Sequence, residues 1–205
     1  MGDASFFVQA DYDGAPVLKI GAVVLDEEAS GQRSETRDAA HAPNPEPRML
    51  ILRPHPKQAG ETPPLVLPRG SRQYATIAAD GATQWHDARD EATGRAHAAT
   101  LEPFARGLAR ELAEEAGIDA ALLARSPCRA LGALPFHSRH KGIYPIYWFV
   151  VTLAAADAAA LLATPLPMDA SERRWETLAT IEALAARGEF SAGYLPVIHA
   201  ALRSQ

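Results

Sequence analysis

The chain has 205 residues, 47% of them hydrophobic, and a formal net charge of −5 at pH 7. That length suffices for one well-buried domain with some elaboration, and the mild acidity gives nothing to attract a nucleic-acid backbone. The lone cysteine, Cys128, cannot form an internal disulfide, which suits a reducing cytoplasm, and it reads as a buried apolar filler rather than a nucleophile. Residues 1–4 lack the basic and apolar regions of a signal peptide. The longest apolar run, 143–153, is too short to span a bilayer. The expectation is a cytoplasmic chain with neither a membrane segment nor a nucleic-acid polymer as partner.

Residues 17–25 read as a strand rich in Val, Ile and Leu, ended by Asp26, Glu27 and Glu28. Residues 29–47 are polar and proline-punctuated, as a loose loop is. A short buried strand follows at 48–53, a turn-rich connection at 54–64, and a third strand at 65–67, which delivers Pro68, Arg69 and Gly70. Within 71–100, residues 74–79 suit a strand and 88–99 are Ala-rich. Trp85, His86, Asp87 and His97 lie there either as surface residues of a lid or hairpin or as a second metal site.

A helix is expected over 103–116, with Pro103 tolerated in the first turn. Phe104, Leu108 and Leu112 form an apolar stripe at i, i+4 and i+8 that should face a sheet. Gly117 suits the left-handed position that stops a helix, with Ile118 packing back. Residues 120–125 suit a further helical turn. Strands are expected at 129–136 and 143–153, joined by a basic loop at 137–142. A helix or irregular connection at 154–163, a short strand at 174–178 and helices at 180–187 and 195–203 complete the chain. Periodicity alone says mixed α/β.

The chemistry concentrates in Arg110-Glu111-Leu112-Ala113-Glu114-Glu115-Ala116-Gly117-Ile118. At 3.6 residues per turn, Glu111, Glu114 and Glu115 share one helical face. The Glu111/Glu115 pair costs an isolated helix a few tenths of a kcal/mol by like-charge repulsion. Clustered carboxylates suit hard divalent cations such as Mg2+. An acidic run in an Ala-rich helix also suits a solvated face neutralised by Arg106 and Arg110.

This run resembles the box of the Nudix hydrolases, G-x5-E-x7-R-E-U-x-E-E-x-G-U, where U is bulky and apolar. Arg110, Glu111, Leu112, Glu114, Glu115, Gly117 and Ile118 match in register, and Glu102 stands at the upstream Glu. The leading Gly fails, since Ala96 occupies its place. Leu67-Pro68-Arg69-Gly70 resembles the strand end and glycine turn that open the Nudix loop, which makes 71–100 an insertion within a single domain, 1–205. The resemblance implies a Nudix-type α/β/α sandwich with a mixed β-sheet.

It also implies Mg2+-dependent (or Mn2+-dependent) hydrolysis of a phosphoanhydride in a nucleoside diphosphate linked to another group, of the diadenosine polyphosphate or ADP-ribose kind. Metal binding falls to Glu111, Glu114 and Glu115, with the Gly70 carbonyl as a further ligand. Glu111 is also where some members of the family place a base, and Arg110 would orient Glu102. A separate base in a later loop is common in the family. Glu172 and Glu176 are the candidates and Glu172 is preferred; as ordinary surface acids both would be equally at home. Arg53, Arg69, Arg72 and Arg139 are the candidate phosphate contacts, and Trp85, Tyr74 and Phe136 the candidate stacking residues. The competing reading is a non-catalytic Nudix domain that binds a nucleotide or protein as a regulator. Intact Glu111, Glu114 and Glu115 favour the enzyme. Relatives occur as monomers and dimers, so a homodimer is compatible with the sequence.

Overall fold

The computed structural model describes residues 11–12, 14–26, 46–138 and 142–204. In chain order the strands and helices are β1 (Asp11–Tyr12), β2 (Ala15–Pro16), β3 (Lys19–Asp26), β4 (Arg48–Pro54), β5 (Arg69–Ser71), β6 (Gln73–Ile77), β7 (Thr83–Asp87), α1 (Glu91–Ala96), α2 (Phe104–Glu111), α3 (Ala120–Arg125), β8 (Cys128–Ser138), β9 (Gly142–Leu153), α4 (Ala155–Ala163), β10 (Ala170–Thr177), α5 (Leu178–Ala186) and α6 (Leu195–Arg203). Among the described residues no helix is long and apolar enough to cross a membrane.

A six-stranded mixed sheet forms the centre, in the order β10-β4-β3-β9-β8, with β5 also paired to β3. Strand β3 runs parallel to β9 along its length and antiparallel to β4 and β5. The run from Ile20 to Asp26 is buried throughout, as a strand covered on both faces must be. One face carries Val24, Leu50 and Phe149 against Phe104, Leu108, Leu112, Leu122 and Leu161 of the helices. The other carries Val23, Ile51 and Trp148 against Ile181, Leu184, Val197 and Ile198. Helices on both faces of a mixed sheet make the α/β/α sandwich expected from the sequence, and the stripe Phe104/Leu108/Leu112 faces the sheet.

Three local expectations are corrected. The third strand is displaced: Leu65 and Val66 make only isolated bridges, to Phe190 and Leu52, and the paired strand is Arg69–Ser71. Gly70 therefore lies in extended strand beside Ile20 rather than in a glycine turn. The last strand begins at Ala170, well before 174. Cys128 is exposed rather than buried. Residues 29–45 of the expected loop lie outside the described residues.

Helix α2 starts after Pro103, whose extended ψ of 143° makes it the cap rather than a first-turn residue. It sits close on β3 because residue 107 is glycine: a Cβ there would lie 2.3 Å from Ile20 Cδ1. The helix widens into a π turn over Leu112–Ala116, which carries Glu114 and Glu115. Such turns recur at functional sites. Gly117, at φ 74°, ends it, and the Ile118 amide reaches back to the Leu112 carbonyl at 3.0 Å.

Candidate active site

Glu102 is fully buried, where a lone carboxylate would be costly. Arg110 grips it in a two-pronged ion pair, Nε to Oε1 at 3.2 Å and Nη2 to Oε2 at 3.1 Å. The Gln73 amide donates to the same carboxylate at 3.1 Å. Arg110 has three further partners: Glu111 at 2.9 Å, Glu114 at 3.0 Å and the Ser71 carbonyl at 2.6 Å. Burial opposes its charge, but the bonds to Glu102 and the charge of Glu111 outweigh burial and hold the guanidinium above its ordinary pKa. Arg110 thus locks the helix carboxylates to the strand bearing Gly70.

Glu111 lies against Gly70 itself. A Cβ on residue 70 would stand 1.6 Å from Glu111 Oε2, so glycine is required for the close approach of a carboxylate, with no positive φ involved. Burial raises the Glu111 pKa, against the pull of Arg110. Glu115 accepts the Arg69 amide at 2.9 Å. Its pKa is pushed up to about 7, first by burial and further by the negative charges of Glu111 and Asp169. Glu114 is exposed and, among the described residues, held only by Arg110.

Among the described residues, no three or more His, Cys, Asp or Glu are grouped closely enough, as they stand, to hold a metal ion. The donor set nevertheless fits a hard cation. Glu111, buried, and Glu115, half-buried, are like charges whose ionisation is suppressed, and Arg110 Nη1 already draws Glu111 and Glu114 towards one positive centre.

The remaining sequence candidates divide sharply. Arg69 reaches the Tyr144 hydroxyl at 2.8 Å and lies 4.9 Å from the Phe136 ring centre. Arg69, Phe136, His137, Lys57 and Tyr194 line a recess of about 450 Å3. Arg72 is corrected: it is 2% exposed and donates to the Val17 and Glu102 carbonyls, so it clamps the core and cannot face a substrate. Arg53 is tied to Glu172 at 2.6 Å and to the Pro63 carbonyl at 2.7 Å. Arg139 lies outside the described residues.

Glu172 is likewise corrected as a base. Its neighbour Arg173 points towards the box helix, donating to the Ala116 carbonyl at 2.8 Å. Alternation along a strand turns Glu172 to the opposite face, where it pairs with Arg53 and Arg174; Glu176 shares that face and forms an ion pair with Arg174 at 3.0 Å. The later-loop acid whose charge acts on Glu115 is Asp169, just before β10. Its signal was an acid in the turn Pro167-Met168-Asp169, hidden because the strand begins earlier than its apolar residues do.

The 71–100 candidates do not converge on a metal. His97 stacks on Tyr74 with ring centres 4.0 Å apart, His86 bonds Thr76, Asp87 bonds Gln73, and Trp85 lies under Arg106.

No protein-family model matches the chain, and no curated protein matches it. Solved structures do resemble it. NrtR of Shewanella oneidensis is 15% identical over 90% of this chain, with a TM-score of 0.48; the chain spans 61% of the length of that protein. A mutT/nudix family protein from Listeria innocua is 14% identical over 91% of both chains, with a TM-score of 0.47. An Ap4A hydrolase of C. elegans is 13% identical over 91% of this chain and 99% of its own, with a TM-score of 0.43. Likeness this remote decides neither family nor activity.

Proposed function

We propose that the chain is a Nudix family pyrophosphohydrolase that uses a divalent metal ion to cleave a phosphoanhydride in a nucleoside diphosphate linked to another group. The observation that carries this reading is the Gly70–Glu111 approach. The box matches the family in register everywhere but its first glycine, and the glycine that lies on Glu111 comes from the other side of the 71–100 segment. The segment closes on itself at its base, where the Glu102 amide donates to the Gln73 carbonyl at 2.7 Å. An insertion can therefore be accommodated without separating Gly70 from the box helix.

Glu111, Glu114, Glu115 and the Gly70 carbonyl would hold Mg2+ or Mn2+. The bound ion would neutralise phosphate charge and lower the pKa of water. The protein's own groups do the rest. Arg110 fixes Glu111 against the Gly70 strand, and the Arg69 amide fixes Glu115. A proton from the attacking water would pass to Glu111 or to Asp169, the later-loop acid whose charge acts on Glu115. The recess at Arg69, Phe136 and Tyr194 offers a cation and aromatic surface to a nucleoside phosphate.

The test is hydrolysis of a panel of nucleoside diphosphate derivatives, dinucleoside polyphosphates and ADP-ribose among them, with Mg2+, Mn2+ or chelator. Wild type runs beside Glu114→Gln. Metal-dependent release of a nucleoside phosphate, lost in the variant, is expected. Nucleotide binding without turnover on any member would instead make the chain a regulatory binding domain.

A further inference from the structure

A second recess, of about 480 Å3, opens between Ala15–Lys19, the segment from Arg89 to Arg95, and Tyr144 with Pro145. That volume is within the range of small-molecule sites. Its two sides are tied together by the backbone. The Arg72 amide donates to the Leu18 carbonyl at 2.8 Å and the Ala88 amide to the Arg72 carbonyl at 2.9 Å. Ala88 is fully buried, and α1 rests on Leu18 at Gly94, where a Cβ would come within 2.5 Å of Leu18 Cδ2. The buried Arg72 is thus the splint of the recess, which is formed before any ligand arrives.

Hydrogen bonds tie the recess to the carboxylate platform on both flanks. Lys19 on its wall bonds the Ser71 hydroxyl, and the Ser71 carbonyl takes Arg110. Tyr144 on its far wall takes Arg69, whose amide holds Glu115. Three cations, Lys19, Arg89 and Arg95, line it against two acids. Asp90 is turned to the Thr93 amide, and Glu91 holds Arg95. Arg89 is exposed and makes no side-chain hydrogen bond or ion pair among the described residues. Leu18, Pro16 and Pro145 supply apolar wall.

We infer that this recess takes the group beyond the scissile anhydride, that this group carries its own phosphate, and that Arg89, contributed by the 71–100 segment, is the residue that selects for it. This rests on the hydrolase reading above for the position of the anhydride. Arg89 follows the anchored Ala88, so its backbone is fixed at the rim and only its side chain has to be ordered on binding.

The probes are ADP-ribose and its terminal phosphate ester, which differ by one phosphate. Kinetics with Mg2+ and calorimetry in chelator are measured for wild type, Arg89→Ala and Arg89→Lys. Arg89→Ala is expected to raise KM and Kd about tenfold for the ester alone, with kcat unchanged, and Arg89→Lys to recover part of the loss. Equal effects on both probes, no effect on either, or no binding of the ester to wild type would overturn the inference. If wild type hydrolyses neither probe nor any member of the nucleotide panel while calorimetry shows the Arg89-dependent preference, the hydrolase reading falls and the recess stands.

Discussion

The Glu111 carboxylate occupies the space that a side chain on residue 70 would fill: a Cβ there would be 1.6 Å from Glu111 Oε2 and 1.8 Å from Cδ. Backbone from one end of the 71–100 segment and a carboxylate from the other are thereby held as a single unit.

Gly70→Ala must push Glu111 aside, because both the strand and the helix are fixed by the core. The expected result is a loss of about 100-fold in turnover, the scale at which a misplacement of about 1 Å acts, with the fold retained. Steady-state kinetics and a circular dichroism melt check the two halves of this prediction.

Glu115 makes the metal-free protein sensitive to pH. Its folded pKa, about 7, stands above the ordinary carboxylate value of 4.5. The unfolded chain gives up this proton first, so stability falls as pH rises from about 4.5 towards 7 and then levels off. Glu115→Gln should flatten that fall and melt at a higher temperature than wild type at pH 8 in chelator. Millimolar Mg2+ should raise the wild-type melting temperature and leave the variant unmoved.

Asp169 and Glu172 make opposite predictions. Asp169→Asn removes the acid beside Glu115 and should lower kcat by about 100-fold or more if it serves as base. Glu172→Gln touches only the Arg53/Arg174 cluster on the far face and should leave kcat within about twofold. Parallel kcat measurements decide between them, and a reversed order would return the base to Glu172.

Arg72→Met strips the Val17 and Glu102 carbonyls of their buried donors. The cost should be about 2–4 kcal/mol of stability, read from urea midpoints. Arg89→Ala, at the exposed rim, should stay within about 0.5 kcal/mol.

What the sequence revealed, and what it hid, follows from the range over which each signal acts. The apolar stripe Phe104/Leu108/Leu112 and the stop at Gly117 are local, and both stand in the structure as read. Gly70 was legible as a special glycine, but its reason, a long-range approach by Glu111, was not. Arg72 looked like a phosphate contact because a sequence shows charge and not burial. Glu172 looked like a base because one residue decides which face of a strand it occupies, and the start of β10 lacks apolar residues to mark it. The π turn carrying Glu114 and Glu115 has no periodic signature in five residues.

The proposed hydrolysis depends on a divalent cation held by Glu111, Glu114 and Glu115. Electron paramagnetic resonance titration of Mn2+ tests for it, comparing wild type with the Glu111→Gln/Glu115→Gln double variant. Saturable Mn2+ binding in wild type, weakened at least about tenfold in the double variant, is the predicted result. Equal binding in both proteins, or none in wild type at millimolar Mn2+, would contradict it.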